Sequence, residues 1–471
     1  MKNAGKASLT VLLLAVMAIV PACERKEEVI PGPVSPIKWN WISGGEAADA
    51  SGVYGTRGVA DPANLPGARE DSVTWVDADD NLWLFGGYGY DSTGYPGRAN
   101  DLWKYDPADA NWTWVHGSSV RDQAGAYGAL GVPSPAACPG ARNGAVSWTD
   151  SAGAFWLFGG LGFDEAGSIG QLNDLWKFDP ATGQWAWMGG SAVRYQPGTY
   201  GALGVADPSN VPGARTGAVS AVDADGNFWL FGGYGYDAAG AKGRLNDLWR
   251  YDPAAALWTW VSGADAIDPI GVYGEPTVPD PANVPGGRSD AVAWIGYEGD
   301  FWLLGGDGLD FSGYRGRLND LWSFDPATLE WTWEDGTYIP NISGTYGDLN
   351  MQSTTAEPGG RYGAVSWISA EGVVWVFGGY TIDSENAEGL TNDLWRYDSP
   401  IVSWTWLAGS STRGAAGAYG TKGTASSDNH PGARYFPLSW IDSLGRRWLF
   451  GGYGLDSEGE GGRLNDLWRQ D

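Results

Sequence analysis

The sequence predicts an all-β fold built as a six-bladed β-propeller, with four antiparallel strands per blade. Three observations carry that prediction. Gly pairs stand at 86/87, 159/160, 232/233, 305/306, 378/379 and 451/452, so one unit of 73 residues is written six times without an insertion. Within each unit, short runs rich in Trp, Val and Leu alternate with Gly, Asp and Asn clusters, the pattern of strands and tight turns. The chain carries 74 Gly and 29 Trp among 471 residues, a mixture that leaves little room for long helices.

One unit reads as follows. Asp71 to Val76 is a strand, Asp77 to Asn81 a turn, and Leu82 to Phe85 a second strand ending on the Gly pair. A loop of about 12 residues, Tyr88 to Ala99, leads to a third strand at Leu102 to Tyr105. After a turn at Asp106 to Asn111, Trp112 to Val115 is the fourth strand. A Trp-x-Trp pair marks that strand at 112, 185, 258, 331 and 404, and the sixth would fall at 477, beyond Asp471. Trp39-Asn40-Trp41 stands 73 residues before Trp112, so the sixth blade is expected to combine Lys38 to Ile42 with Arg434 to Arg469 and close the ring, removing exposed sheet edges. Five strand positions per unit hold Trp except at Ala221, which accounts for all 29 and assigns the Trp stripe to the core.

The first residues read as an address. Lys2 and Lys6 precede an apolar run from Leu9 to Val20, followed by Val20-Pro21-Ala22-Cys23, the order of a secretory signal. The run is short for a membrane span. Val-Pro-Ala-Cys resembles the bacterial lipoprotein signal, which implies lipidation at Cys23 and cleavage of residues 1–22. Residues 23–37, with Glu24 to Glu28 and a Pro-rich stretch from Pro31 to Pro36, are expected to form a flexible tether. Lys-Glu-Glu after the Cys is similar to a surface-export signal, and the lack of Asp directly after Cys23 fits outer-membrane retention. The expected location is therefore the cell envelope, as an outer-membrane lipoprotein exposed at the surface or facing the periplasm.

Composition narrows the chemistry. Lys plus Arg number 29 against 56 Asp plus Glu, a net charge of −27, which opposes nucleic-acid binding. Two Cys and two His supply no zinc cluster and no disulfide framework, and no cofactor or metal is expected. Asp223-Ala-Asp-Gly-Asn227 has an incomplete calcium-ligand pattern and reads better as a hairpin turn.

An Arg opening the first strand, Gly-Gly ending the second, Asn-Asp-Leu-Trp at the third and Trp at the fourth resemble kelch repeats over residues 38–471. The resemblance implies a propeller fold and leaves the activity open, since the family includes oxidases, sugar mutarotases and adaptor modules. A copper radical oxidase of the galactose oxidase kind needs Tyr directly before His, whereas Val115 and Asn429 precede His116 and His430. In kelch domains that bind acidic peptides, Arg at the start of the inner strand lines the pocket. This marks Arg69, Arg142, Arg215, Arg288, Arg361 and Arg434 as candidate channel-mouth residues. Internal pairing with Asp101, Asp174, Asp247, Asp320, Asp393 and Asp466, or with loop acids such as Asp91, is the competing expectation for them.

Arg98, Arg244, Arg317 and Arg463 form a second ring in the loops, broken by Gln171 and Leu390, and Tyr362 and Tyr435 complete the candidate set. Tyr88, Tyr234, Tyr380, Tyr453, Tyr95 and Tyr314 are further stacking candidates, while the Tyr-Gly pairs at Tyr54, Tyr127, Tyr200, Tyr273, Tyr346 and Tyr419 are expected to tie the longer loops to the blades. Twelve loops, two per unit, are expected on one face. The resulting reading is a lipid-anchored binding or interaction module without catalysis, taking a glycan or protein ligand on its long-loop face. The alternative is a carbohydrate-active enzyme of the sialic-acid mutarotase type, which needs little beyond a carboxylate and an Arg beside a sugar.

Overall fold

The structure, a computed structural model, describes residues 36–398 and 403–470. Cys23, the segment read as a signal and most of the expected tether fall outside these residues. The described chain is all-β, without a helix, and every strand pairing is antiparallel, an architecture consistent with a β-propeller. In the first unit Val73–Val76, Leu82–Phe85, Leu102–Asp106 and Asn111–His116 form a four-stranded sheet in chain order. Near the carboxy terminus, Leu438–Ile441, Arg447–Phe450 and Leu467–Gln470 make three such strands, and the fourth is Trp39–Ser43, paired through Trp39↔Gln470 and Trp41↔Trp468.

Two expectations are corrected. The strand read as Asp71 to Val76 runs only from Val73 to Val76, and a separate strand, Arg69–Glu70, precedes it, because Asp71 between them takes a left-handed φ of 60°. The stretch after the Gly pair is a hairpin and not an open loop. Tyr88–Tyr90 pairs with Pro96–Arg98, and in the second unit the strands run on as Phe155–Phe163 and Ile169–Asp179. A five-residue turn capped by Asp91 closes it, Asp91 Oδ1 accepting from Thr93 N and Tyr95 N, and pairing with Arg69–Glu70 holds its first strand in the sheet. One long loop per unit therefore remains, and even these are ordered by short bridges to the outermost strand, Asp61 to Trp112 and Ser426 to Trp39 among them, which cover its open edge.

The core lies between neighbouring units. Trp75, Trp83 and Phe85 pack with Phe155, Trp176 and Trp185, and Trp440 and Trp448 of the last unit pack with Leu82 and Trp103 of the first. Indoles also bond across the seams: Trp75 Nε1 donates to Trp148 O at 3.0 Å and Trp440 Nε1 to Trp83 O at 3.0 Å. The innermost strands line a central cavity of about 210 Å³ with Thr74, Ser147, Ser220, Ala293, Ser366 and Ser439. Hydroxyls stitch these strands together, for example Thr74 Oγ1 to Ser439 O at 3.1 Å and Ser147 Oγ to Thr74 O at 3.2 Å.

At one end of that cavity the backbone makes a continuous ring. Gly144 N donates to Asp71 O, Gly217 N to Gly144 O, Asp290 N to Gly217 O, Gly363 N to Asp290 O, Phe436 N to Gly363 O and Asp71 N to Phe436 O, at 2.7 to 3.1 Å. All six residues have φ between 50° and 66°, the left-handed conformation that turns each amide toward its neighbour. The adjoining Gly86 is also left-handed, and a Cβ there would meet Arg142 O of the next unit at 2.8 Å, so the Gly pair lets backbones meet at the axis. Trp185, fully buried in the seam between the first two units, is expected to cost about 3–5 kcal/mol on Trp185→Ala, read as a shift in the denaturant midpoint.

Candidate functional site

The six inner Arg are internal. Each is at most 2% exposed and faces a fully buried Asp on the third strand of its own unit. In the third unit Arg215 Nη1 donates to Asp247 Oδ1 at 2.7 Å and to Gly232 O at 2.9 Å, Nη2 to Asp247 Oδ2 at 2.7 Å, and Nε to Gly213 O at 2.9 Å. Asp247 Oδ2 also accepts from Tyr200 Oη at 2.6 Å and Trp249 Nε1 at 2.7 Å. The same cluster recurs around Arg69–Asp101, Arg142–Asp174, Arg288–Asp320, Arg361–Asp393 and Arg434–Asp466. It takes up four of the five N–H donors on each of Arg69, Arg142, Arg215, Arg288, Arg361 and Arg434, and with at most 2% of each residue exposed these side chains offer no face to a ligand. The Tyr-Gly tyrosines are its fourth corner, and burial together with the adjacent carboxylate pushes the phenols of Tyr54 and Tyr273 well up.

The mouth is built by the residue after each Arg and by the hairpin beyond the Gly pair. Cross-strand register places three side chains per unit on one face: Glu70, Tyr88 and Arg98 in the first unit, and Asn143, Leu161 and Gln171 in the second. The others are Thr216, Tyr234, Arg244; Ser289, Asp307, Arg317; Tyr362, Tyr380, Leu390; and Tyr435, Tyr453, Arg463. No two triplets are alike. The structure thus gathers Arg98, Arg244, Arg317, Arg463, Tyr362 and Tyr435 at one end of the axis, along with Tyr88, Tyr234, Tyr380 and Tyr453. Tyr95 and Tyr314 sit at the hairpin turns, 62% and 74% exposed.

Charges at the mouth are mostly spent on one another. Arg463 pairs with Glu70 at 2.8 Å and lies 4.4 Å over the Tyr88 ring. Arg244 pairs with Asp307 at 2.6 Å, and Arg317 pairs with Glu388 at 2.9 Å while lying 4.8 Å over Tyr380. Arg98 donates its Nε to Leu161 O at 3.0 Å and has no carboxylate partner among the described residues. On the side of the fifth and sixth units, Tyr362 stacks on Tyr380 at 5.6 Å and meets Tyr435 edge-on at 6.1 Å, and Tyr435 lies 4.8 Å from Phe436.

The sequence reading missed the floor of this mouth, whose residues belong to the amide ring. Its signal was available: the column two residues after each Arg reads Asp71, Gly144, Gly217, Asp290, Gly363, Phe436, a repeat broken at three places. Asp71 leans over Gly144, its Oδ2 accepting from Asn143 Nδ2 at 2.7 Å, and Asp290 leans over Gly217. Burial, with each other's charge nearby for Asp71, raises both carboxyls, Asp71 strongly and Asp290 to about 6. The two His lie elsewhere, His430 beside Asn392 Nδ2 at 3.3 Å, and Asp223 is held by its own turn, accepting from Asn227 N at 2.8 Å. Among the described residues no group of three or more His, Cys, Asp or Glu is placed to hold a metal ion.

No family model matches the chain. It is similar to N-acetylneuraminate epimerase 2 of Escherichia coli O6:H1 and to the N-acetylneuraminate epimerases of Escherichia coli K12 and Shigella sonnei. Each is 30% identical over 187 residues, covering 35% of this chain and 49% of the relative. The matched region thus spans about half the length of these relatives. This similarity and the all-β architecture fit the kelch-type β-propeller that the repeats resemble.

Two outcomes follow from the geometry. Asp247→Ala leaves Arg215 buried without its acid and is expected to destabilise the protein by about 3–5 kcal/mol in equilibrium unfolding. Asp290, raised to about 6 in the fold, holds its proton where the unfolded carboxyl, with its usual value of about 4, has lost it. Its contribution to stability is therefore full below about pH 4 and falls as pH rises to about 6. Asp290→Asn, with Asn well suited to the φ of 59°, is expected to flatten that part of the stability-versus-pH curve.

Proposed function

We propose that residues 38–471 form a six-bladed kelch-type propeller, closed by the strand Trp39–Ser43, which serves as a lipid-anchored binding module of the cell envelope and takes a glycan at its mouth without catalysis. One observation carries the reading. The scaffold repeats almost atom for atom through six Arg–Asp–Tyr–Trp clusters, whereas all six mouth triplets differ, so the place where the hairpins converge is released from the repeat. The outer turns vary as well, but the mouth also combines half-buried Tyr faces, Arg98 and polar acceptors, the chemistry of a carbohydrate site. The similarity to N-acetylneuraminate epimerases supports a sugar over a peptide. Six blades and closure are supported by the ring of six amide bonds and by the pairing of Trp39–Ser43 with Leu467–Gln470. The signal ending at Cys23 supports lipid attachment to an outer membrane, and the net charge of −27 supports a partner other than nucleic acid.

A second reading, a sugar-converting enzyme of the mutarotase type, is favoured by the same similarity and by Asp290, whose proton affinity suits acid–base work near neutral pH. The full chain, kept in detergent, is to be screened on glycan and peptide arrays. The proposal expects a glycan hit that weakens at least about tenfold in Tyr362→Ala and in Arg98→Ala and is unchanged in Leu203→Ala on the exposed outer loop. Peptide hits alone would contradict it. Anomer exchange of the bound sugar, followed by NMR, that drops about 10²–10⁴-fold in Asp290→Asn would establish the enzyme reading instead. Cys23→Ala is expected to move the chain out of the membrane fraction.

A further inference from the structure

We infer that the floor of the mouth is a receptor for an alkylammonium group, held between the Asp71 and Asp290 carboxylates and the aromatic wall of Phe436, Tyr435 and Tyr362, so that the ligand is an amino sugar with a free amine. This rests on the reading of the mouth as a glycan site and specifies the chemistry that site selects.

The amide ring arranges two unlike halves. Asp71 lies over Gly144, its Oδ2 at 3.0 Å from where a Cβ would stand, and Asp290 lies over Gly217. Gly144 and Gly217 are adjacent in the ring, so carboxylates that start from opposite positions, the first and fourth units, converge on one side. On the other side Phe436 lies over Gly363, its Cε1 at 3.1 Å from the Cβ position, and continues into Tyr435 and Tyr362. Carboxylates facing an aromatic wall match a cation with an apolar periphery.

A separate observation points to a missing donor. Glu70, next to Asp71 and 8% exposed, uses Oε1 for Arg463, while its buried Oε2 has no partner; Asn143 Oδ1 is likewise buried without one. Buried acceptors in this state are costly and are satisfied by a ligand that brings N–H groups. The neighbouring charges are paired elsewhere: Arg463 with Glu70, Arg317 with Glu388, and Arg244 and Arg315 both with Asp307, while no ion pair among the described residues engages Asp71 or Asp290. A calcium ion would need six to eight oxygens, and one oxygen of Asp71 is already taken by Asn143. Burial raises the proton affinity of both carboxyls and a bound ammonium would lower it, so binding should tighten from pH 5 to pH 7.

The test is calorimetric titration of the full chain in detergent with glucosamine, N-acetylglucosamine, an Nα-acetyl-lysine amide and calcium chloride. Glucosamine is expected to bind at least tenfold tighter than N-acetylglucosamine at pH 7, to weaken at pH 5, and to lose at least tenfold in Asp290→Asn and in Phe436→Leu. Thermal melting of both variants reports whether the fold is retained, and Asp71→Asn, also at a φ that Asn accepts, repeats the test independently. Equal binding of the two sugars, binding of the lysine amide with glucosamine silent, binding of calcium alone, or unchanged affinity in folded Asn variants would overturn the inference. An array hit on a glycan without an amine, with glucosamine silent, would overturn it while leaving the glycan reading intact; silence on every array and every titrant would overturn both.

Discussion

Six backbone hydrogen bonds around one axis set the terms for the rest of the fold. Each needs a residue in the left-handed region, and each joins one unit to the next through main-chain atoms, so the units must arrive at the axis with the same height and tilt. Two devices deliver them there. The Gly pair removes the Cβ atoms that would hold neighbouring backbones apart, and the buried Arg–Asp pair fixes the two-residue inner segment against the third strand. Burying an ion pair is costly in itself, and here the cost is offset by dense hydrogen bonding: four Arg hydrogen bonds, and a carboxylate that also accepts from Tyr and Trp. The Tyr corner links the long loop into the same cluster, and that loop then shields the outermost strand.

Such redundancy separates stability from recognition. With Trp seams, ion-pair clusters and amide bonds repeated in every unit, the mouth triplets bear little of the folding load and are free to differ. The asymmetry is therefore informative. Tyr gathers toward the fifth and sixth units and carboxyl groups toward the first four, which gives the mouth two chemically distinct sides although the scaffold beneath has none.

Much of this was legible in the sequence. The 73-residue period, the strand positions and the core role of Trp follow from spacing alone, because each repeated residue answers a repeated constraint. The pairing of Arg with the Asp of Asn-Asp-Leu-Trp was open beside a ligand role, since spacing places Arg69 and Asp101 at the same end but does not say which way the guanidinium turns. The hairpin after the Gly pair was read as a loop because its Gly and Tyr content resembles a loop tip; its strand character comes from register with Arg69–Glu70, a contact distant in sequence. Asp71, Asp290 and Phe436 were not legible because periodicity marks the columns that recur, and these residues matter where a column fails to repeat. The left-handed φ that places them is a property of the assembled ring and not of their local sequence.

Native-state hydrogen exchange at the six axial amides tests the central claim most directly. A closed ring predicts that the amide of Asp71, which donates to Phe436 O and joins the first unit to the last, is protected as strongly as that of Gly217 and exchanges only with global unfolding. Rapid exchange at Asp71, with Gly144, Gly217, Asp290, Gly363 and Phe436 still protected, would mean an open array and would contradict the account.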